Sequence, residues 1–208
     1  MPPKPHYHHG NLRSALVEQA LELVEKAGAE SFSLREAARL VGVSANAAYR
    51  HFADKSDLLM AVAAAGADLQ KQYLLRALAA APERSTAAGA AIERLRAVGR
   101  GYVEFAVAHP ELLRVMFGSR WPAARTVDGF RTTGPYALLG QTLDDLASAG
   151  VLPAARRPGA ELKAWTVVHG FATLVIQGVG ALQKRAARAK ALEALFDFAL
   201  IGLCGRMK

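Results

Sequence analysis

The stretch SLREAARLVGVSANAAYRHF, Ser33 to Phe52, sets two helix starts and one helix stop close together. Ser33 with Glu36 three positions later fits the reciprocal capping box: the serine oxygen accepts from one unpaired amide at the helix start, and the glutamate reaches back for another. Leu34, Ala37, Ala38 and Val41 then follow at the spacing of one apolar helix face. Gly42 stops that helix, because glycine enters the left-handed backbone region without steric cost. Val43 supplies an apolar side chain for the core, and Ser44 caps a further helix over Ala45 to Phe52. Two short helices separated by so tight a turn must cross at a steep angle.

The flanks complete the unit. Leu12, Ala15, Leu16, Ala20, Leu23, Val24 and Ala27 share one face of a helix that Asn11 can cap and Gly28 can close. After Phe52, Asp54 is a cap and Asp57 adds negative charge to the first turn of a helix running to about Ala80, where Ala81-Pro82 ends it. Such a helix is about 37 Å long. A long helix bracing two short ones is the helix-turn-helix arrangement, which presents its second short helix outward to a DNA major groove. An ordinary helical hairpin inside an all-helical core meets the same spacing.

Hydrophobic residues make up 52% of the 208 and charged residues 21%, enough for a buried core. Many Ala and Leu beside few aromatics favour helix packed on helix. The net charge of +8 suggests an anionic partner, but residues 1–60 hold seven Lys and Arg against seven Asp and Glu. The excess lies in later stretches such as Arg156-Arg157 and QKRAARAK, Gln183 to Lys190. Bulk charge therefore identifies no nucleic-acid surface, and local geometry has to. The single cysteine, Cys204, reads as a small buried hydrophobe in a reducing, cytoplasmic setting. Pro and His stand where an export signal would need an apolar core. His169, Gln177 and glycines interrupt the apolar run Ala164 to Leu182, which reads as a buried helix rather than a membrane span.

The string Ser33 to Leu59 resembles the DNA-binding domain of the TetR family of bacterial transcriptional regulators. The resemblance rests on the capped second helix, Gly-Val-Ser at the turn, Tyr49, His51-Phe52, Lys55 and Leu58-Leu59, and covers about Asn11 to Val62. YVEFAVAHPELLRVMFG (Tyr102 to Gly118) and AWTVVHGFATLVIQG (Ala164 to Gly178) resemble a subgroup with a C-terminal Trp-x-x-x-His-Gly signature, in which an N-terminal YHHGNLR-like string is also usual. Ala48 departs from the Leu, Ile or Val that many members carry, thinning the packing behind the recognition helix. The resemblance implies an all-α fold: a helix-turn-helix domain with an N-terminal arm over residues 1–55, and a helical effector-binding and dimerisation domain over residues 56–208. It implies a ligand-responsive repressor acting as a homodimer on palindromic double-stranded operator DNA. An activator, or a regulator responding to metal through the N-terminal histidines, is the alternative.

In a helix-turn-helix the first residues of the recognition helix reach base edges. Here they are Ser44, Ala45, Asn46 and Ala47. Asn46 can bond adenine at two points, and Ala45 or Ala47 can meet a thymine methyl. The resemblance places phosphate contacts at Ser33, Arg35, Tyr49, His51 and Lys55, residues whose donors and charge suit phosphate oxygens. Arg50 is either a further contact or a solvated charge, and Phe52 is core.

Downstream, Ser85 to His109 reads as a helix with Ile92, Leu95, Val98, Tyr102, Phe105 and Ala106 inward, followed by a short helix over Glu111 to Phe117. Gly118 to Gly134 reads as a loop or lid. Pro135 opens a helix that Gly150 closes, and a Pro-containing linker, Val151 to Gly159, leads to two final helices, about Ala160 to Gly178 and Lys190 to Arg206. On the last, Leu192, Leu195, Phe196, Ala199, Leu200 and Leu203 form a stripe wider than one neighbour needs, so a second chain is the expected cover. Tyr102, Phe105, Met116, Phe117, Trp121, Tyr136, Trp165 and His169 are candidates to line an effector pocket, although aromatics and Met at helical spacing serve equally as core. Gly170, Gly178 and Gly180 suit close helix packing better than phosphate binding. No nucleophile with a nearby base and no cofactor loop is present, so neither enzymatic activity nor a cofactor is expected. His6, His8 and His9 stand within four positions, but they lack the fourth ligand and supporting shell of a specific metal site. Ahead of a helix-turn-helix they read instead as an arm on the DNA backbone or minor groove.

Overall fold

The computed structural model describes residues 12–118 and 134–205. Among them the chain forms nine α-helices and no strand: α1 (Leu12–Ala27), α2 (Leu34–Val41), α3 (Ala45–Tyr49), α4 (Lys55–Ala79), α5 (Ala87–Ala108), α6 (Pro110–Phe117), α7 (Gly134–Ser148), α8 (Ala160–Ile176) and α9 (Arg185–Cys204). Short 3₁₀ turns lie at Ala154–Arg156 and Gly180–Gln183. The N-terminal arm and residues 119–133 of the expected loop fall outside the described residues. By compactness the chain divides into two units: one runs to Ala67 and resumes at Glu111, and the other comprises Asp68–Pro110 and the later helices.

In the first unit α1 buries Leu16, Ala20 and Val24, a row at four-residue steps, and packs on α2 and α3. Each such side chain contributes about 1.5–3 kcal/mol by leaving water. Phe32, Leu34, Ala37, Ala38, Ala48, Phe52, Leu58, Leu59 and Val62 complete this core. Near Gly66, α6 comes close to α4: a Cβ on that glycine would lie 2.9 Å from Leu112 Cγ and Met116 Sδ. Pro110 begins α6 one residue ahead of the expected start, because proline at the first helical position forfeits only an amide that has no partner there.

The second unit is built around α5, which packs on α7, α8 and α9. Its buried residues include Glu93, Gly99, Gly101, Tyr102 and Phe105, and they surround the helix instead of lining the single inner side expected; Ile92 and Leu95 are only half-buried. Two glycines make this possible. A Cβ on Gly99 would stand 2.4 Å from Phe196 Cε1 of α9, and one on Gly101 would stand 2.8 Å from the Tyr73 carbonyl oxygen of α4. Ion pairs reinforce the α5–α9 contact. Glu93 binds Arg84 at 2.9 Å and Arg100 at 2.6 Å, Arg100 continues to Glu193 at 2.7 Å, and Arg96 joins Glu193 at 2.9 Å. Burial works to raise the Glu93 pKa, but hydrogen bonds and charge from Arg100 and Arg84 outweigh it and hold the carboxyl below its ordinary value.

Three expectations are corrected. The third helix ends at Tyr49, not Phe52, because the amides of Arg50, His51 and Phe52 bond to Ala47 and Ala48 carbonyls in a tightened last turn that swings Phe52 into the core. The last helix starts at Arg185, not Lys190: the Ala- and Arg-rich stretch is a good helix former, and the Arg188 amide already bonds the Lys184 carbonyl at 2.9 Å. Gly178 takes φ +82° just past the end of α8 and Gly180 takes φ +45° at the start of the following 3₁₀ turn; neither they nor Gly170 meet a neighbour within 4 Å in this chain. The close approaches of this chain occur at Gly66, Gly99 and Gly101. Cys204 is half-buried, and burial raises its thiol pKa against the pull of Arg156.

Gly101→Ala should lower stability by about 1–3 kcal/mol in urea unfolding, because backbone blocks the added methyl. Gly140→Ala, in the interior of α7 with only the Glu161 carboxylate at 3.6 Å, should raise it by about 0.5–1 kcal/mol. An unchanged midpoint for Gly101→Ala would contradict the close approach of α5 to Tyr73. Glu93 has a lowered folded-state pKa, so its contribution is present above the unfolded carboxyl pKa and lost as pH falls through the folded value. Glu93→Gln should therefore destabilise the protein at neutral pH and flatten its loss of stability in acid, as measured by melting temperature against pH.

Candidate nucleic-acid interface and effector cluster

The turn between α2 and α3 is fixed by hydrogen bonds at both ends. Gly42 at φ +83° donates its amide to the Arg39 carbonyl at 3.1 Å, and the Val43 amide reaches the Ala38 carbonyl at 2.9 Å. This pair is the Schellman motif, which requires a left-handed residue at its corner. One residue later Ser44 Oγ accepts from the Ala47 amide at 3.2 Å and starts α3. At the head of α2, Ser33 Oγ accepts from the Glu36 amide at 3.2 Å. The return half of that capping box does not form among the described residues. A reciprocal pair appears instead ahead of α4, where Asp54 Oδ1 accepts from the Asp57 amide at 2.9 Å and Asp57 Oδ2 from the Ala53 amide at 3.0 Å.

On α3, Ala48 points inward and is fully buried, which leaves Asn46, Tyr49 and Arg50 exposed and Ala45 and Ala47 half-buried. His51, Ser33, Arg35 and Ser44 are exposed as well. Ser33 and Ser44 use only a lone pair in capping, so each hydroxyl proton remains to donate. Lys55 is half-buried: its ammonium donates to the Glu30 carbonyl at 3.1 Å and sits 5.1 Å from the Phe32 ring centre. Two of its three N–H donors remain. Sequence reasoning missed this anchoring, which ties the head of α4 to the loop before α2. Arg13, expected to lend charge to the N-terminal arm, has its guanidinium 4.9 Å from the centre of the Phe52 ring.

In the second unit part of the expected effector set comes together. Tyr102 Oη and His169 Nδ1 are hydrogen-bonded at 2.7 Å, and Trp165 Nε1 donates to Tyr102 Oη at 3.3 Å. Trp165 also meets the Tyr136 ring edge-on at 6.1 Å and the His169 ring at 5.5 Å. Burial pushes the Tyr102 phenol well above its ordinary pKa and the His169 imidazole below its own, so both are neutral near pH 7. Phe105 belongs to a separate cluster with Tyr73 and His109, in which Tyr73 Oη and His109 Nε2 lie 3.0 Å apart. Met116 and Phe117 lie on α6 in the first unit, with Met116 against Gly66. Trp121 lies outside the described residues. Gln70, absent from the expected set, is buried with its carboxamide turned to the Tyr102 hydroxyl.

Among the described residues no group of three or more His, Cys, Asp or Glu could hold a metal ion. No helix there is long and apolar enough to cross a membrane. His6, His8 and His9 lie outside those residues.

The family model for bacterial regulatory proteins of the tetR family matches residues 16–62, and that for the tetracyclin repressor-like C-terminal domain matches residues 95–200. A Rhodococcus sp. RHA1 protein of unknown function is 32% identical over 97% of this chain and 100% of its own, with a TM-score of 0.76. A TetR-family transcriptional regulator from Pectobacterium atrosepticum shares the fold at 20% identity, covering 96% of this chain and 97% of its own with a TM-score of 0.67. A point variant of TetR from Acinetobacter baumannii AYE, solved in complex with minocycline, shares it at 18% identity, over 94% of this chain and 96% of its own with a TM-score of 0.61. No curated protein matches the chain. With both of its halves matched and its helix-turn-helix in place, the chain belongs to the tetR family of bacterial regulatory proteins and is a DNA-binding transcriptional regulator.

Proposed function

We propose that the protein is a ligand-responsive repressor that binds a palindromic operator as a homodimer. The observation that carries the reading is the outward row of α3: Asn46, Tyr49 and Arg50 stand exposed on a helix whose inner side is sealed by Ala48. Asn46 reads adenine in the major groove, and Ala45 and Ala47 lie against thymine methyls. Ser33, Ser44, Arg35, Tyr49, His51 and the remaining Lys55 donors hold the phosphates, which sets register without reading sequence.

Leu192, Phe196, Leu200 and Leu203 of the stripe expected to meet a second chain are instead buried within this one, and dimerisation is supported by other apolar surface on α8 and α9, two helices that pack on each other. Leu162 and Leu174 are 50% and 46% exposed on α8, and Phe198 and Ile201 are 68% and 55% exposed on α9. The exposed Gly170 and Gly202 permit close approach there. A second copy covering this face makes a four-helix bundle, and its twofold axis suits a palindromic site. The small-molecule effector is assigned to the Tyr102–Trp165–His169 cluster; that a protein of the same fold was solved in complex with minocycline supports response to a small molecule.

Selection of bound DNA from a random pool should return an inverted repeat. On that site Asn46→Ala should cost on the order of 1–3 kcal/mol at particular base pairs. Lys55→Ala should weaken all sequences evenly and lower the salt slope by about one. Even losses across the pool for both variants would remove Asn46 from base reading. The wild type should sediment as a dimer at micromolar concentration and Phe198→Glu with Ile201→Lys as a folded monomer; a monomeric wild type would contradict the dimer.

A further inference from the structure

Lys55 is the first residue of α4, and two groups from the loop ahead of α2 hold its side chain. Its ammonium donates to the Glu30 carbonyl at 3.1 Å and stands over the Phe32 ring, 5.1 Å from its centre. Phe32 is 4% exposed, so the core fixes its ring and gives Lys55 a rigid aromatic face, which attracts a cation through its quadrupole. The head of α4 is fixed as well, because Asp54 accepts from the Asp57 amide at 2.9 Å and Asp57 from the Ala53 amide at 3.0 Å. Ring and carbonyl leave the ammonium unfinished: two N–H donors remain, and among the described residues no carboxylate pairs with it. A lysine on an open helix end samples many rotamers, and ordering it on a ligand has an entropic cost. Here the ordering precedes the ligand.

We propose that Phe32 is a positioning residue for DNA binding: its ring, with the Glu30 carbonyl, holds the Lys55 ammonium in the pose that takes a backbone phosphate. This rests on the phosphate contact assigned to Lys55 above and deepens it by naming what prepares that contact. A phosphate oxygen meets two free donors and a positive charge there, whatever the base sequence, so Phe32 acts on affinity for all DNA alike. Leucine in its place keeps an apolar side chain in the core and removes only the aromatic face.

The test is a double-mutant cycle on the full-length protein with Phe32→Leu and Lys55→Ala, measured on the selected operator and on an unrelated duplex. Phe32→Leu should weaken both duplexes by about two- to tenfold, the worth of one long side chain ordered in advance. In the Lys55→Ala background the same substitution should change neither by more than about 1.5-fold, because its effect passes through the lysine. Equal losses in the two backgrounds assign the ring to packing alone and overturn the proposal. A loss for Lys55→Ala without one for Phe32→Leu also overturns it, while the phosphate contact stands; no loss for either removes that contact and the proposal with it. The Lys55 ε-methylene protons give a readout that needs no variant. The ring should hold them upfield of those of an exposed lysine both in the free protein and in the operator complex, and their return to the ordinary position on binding DNA would overturn the positioning.

Discussion

The turn at Gly42 governs what the first unit can do. Two hydrogen bonds close it, Gly42 N–H to Arg39 and Val43 N–H to Ala38, and both need the left-handed backbone that glycine supplies. An L-residue there would strain the corner even though nothing lies within 4 Å of the missing Cβ. The restriction is therefore purely conformational. Because Ser44 restarts the helix directly after Val43, α3 has little freedom relative to α2. With Ala48 facing in, Asn46 has to face out. A recognition helix so short depends on its cap and its one buried alanine, and the small side chain at that position brings α3 near the core.

The second unit solves a different problem. An α-helix with buried residues around most of its circumference needs close neighbours on several sides, and α5, which leaves Arg94, Glu104 and Val107 exposed, meets this with Gly99 toward Phe196 and Gly101 toward the α4 backbone. Polar groups taken inside with it have to be matched. Glu93 is matched by two arginines, and Tyr102 by His169 and Trp165. Gln70 brings its carboxamide to the same Tyr102 hydroxyl.

Sequence alone made the local signals legible: both serine caps, the stop at Gly42, the ends of α1 and the extent of α4 all follow from residue type at a given spacing. What it could not reveal depended on contacts between distant residues. The packing of α5 needs Phe196 and Tyr73, far away in the chain, to say why glycines stand at 99 and 101. Lys55 looked like a phosphate contact with all its donors open, and only the fold brings the Glu30 carbonyl to it. Tyr102 and His169 were both recognised as candidates, yet their pairing emerges only when α5 lies against α8. For Gln70 a signal did exist: it falls in the same four-residue row as Val62 and Leu74, where an amide contradicts the pattern. It goes unnoticed if polar residues in long helices are read as solvent-facing.

Thermodynamics sets what an effector at this cluster has to accomplish. A ligand that binds the DNA-competent and DNA-incompetent states equally shifts nothing, however tight it is. Tenfold weaker operator binding requires about 1.4 kcal/mol of differential affinity, and linkage makes the operator weaken the ligand by the same factor. A hydrogen bond that exists only when ligand is present is a suitable source, provided the two states place the donor differently.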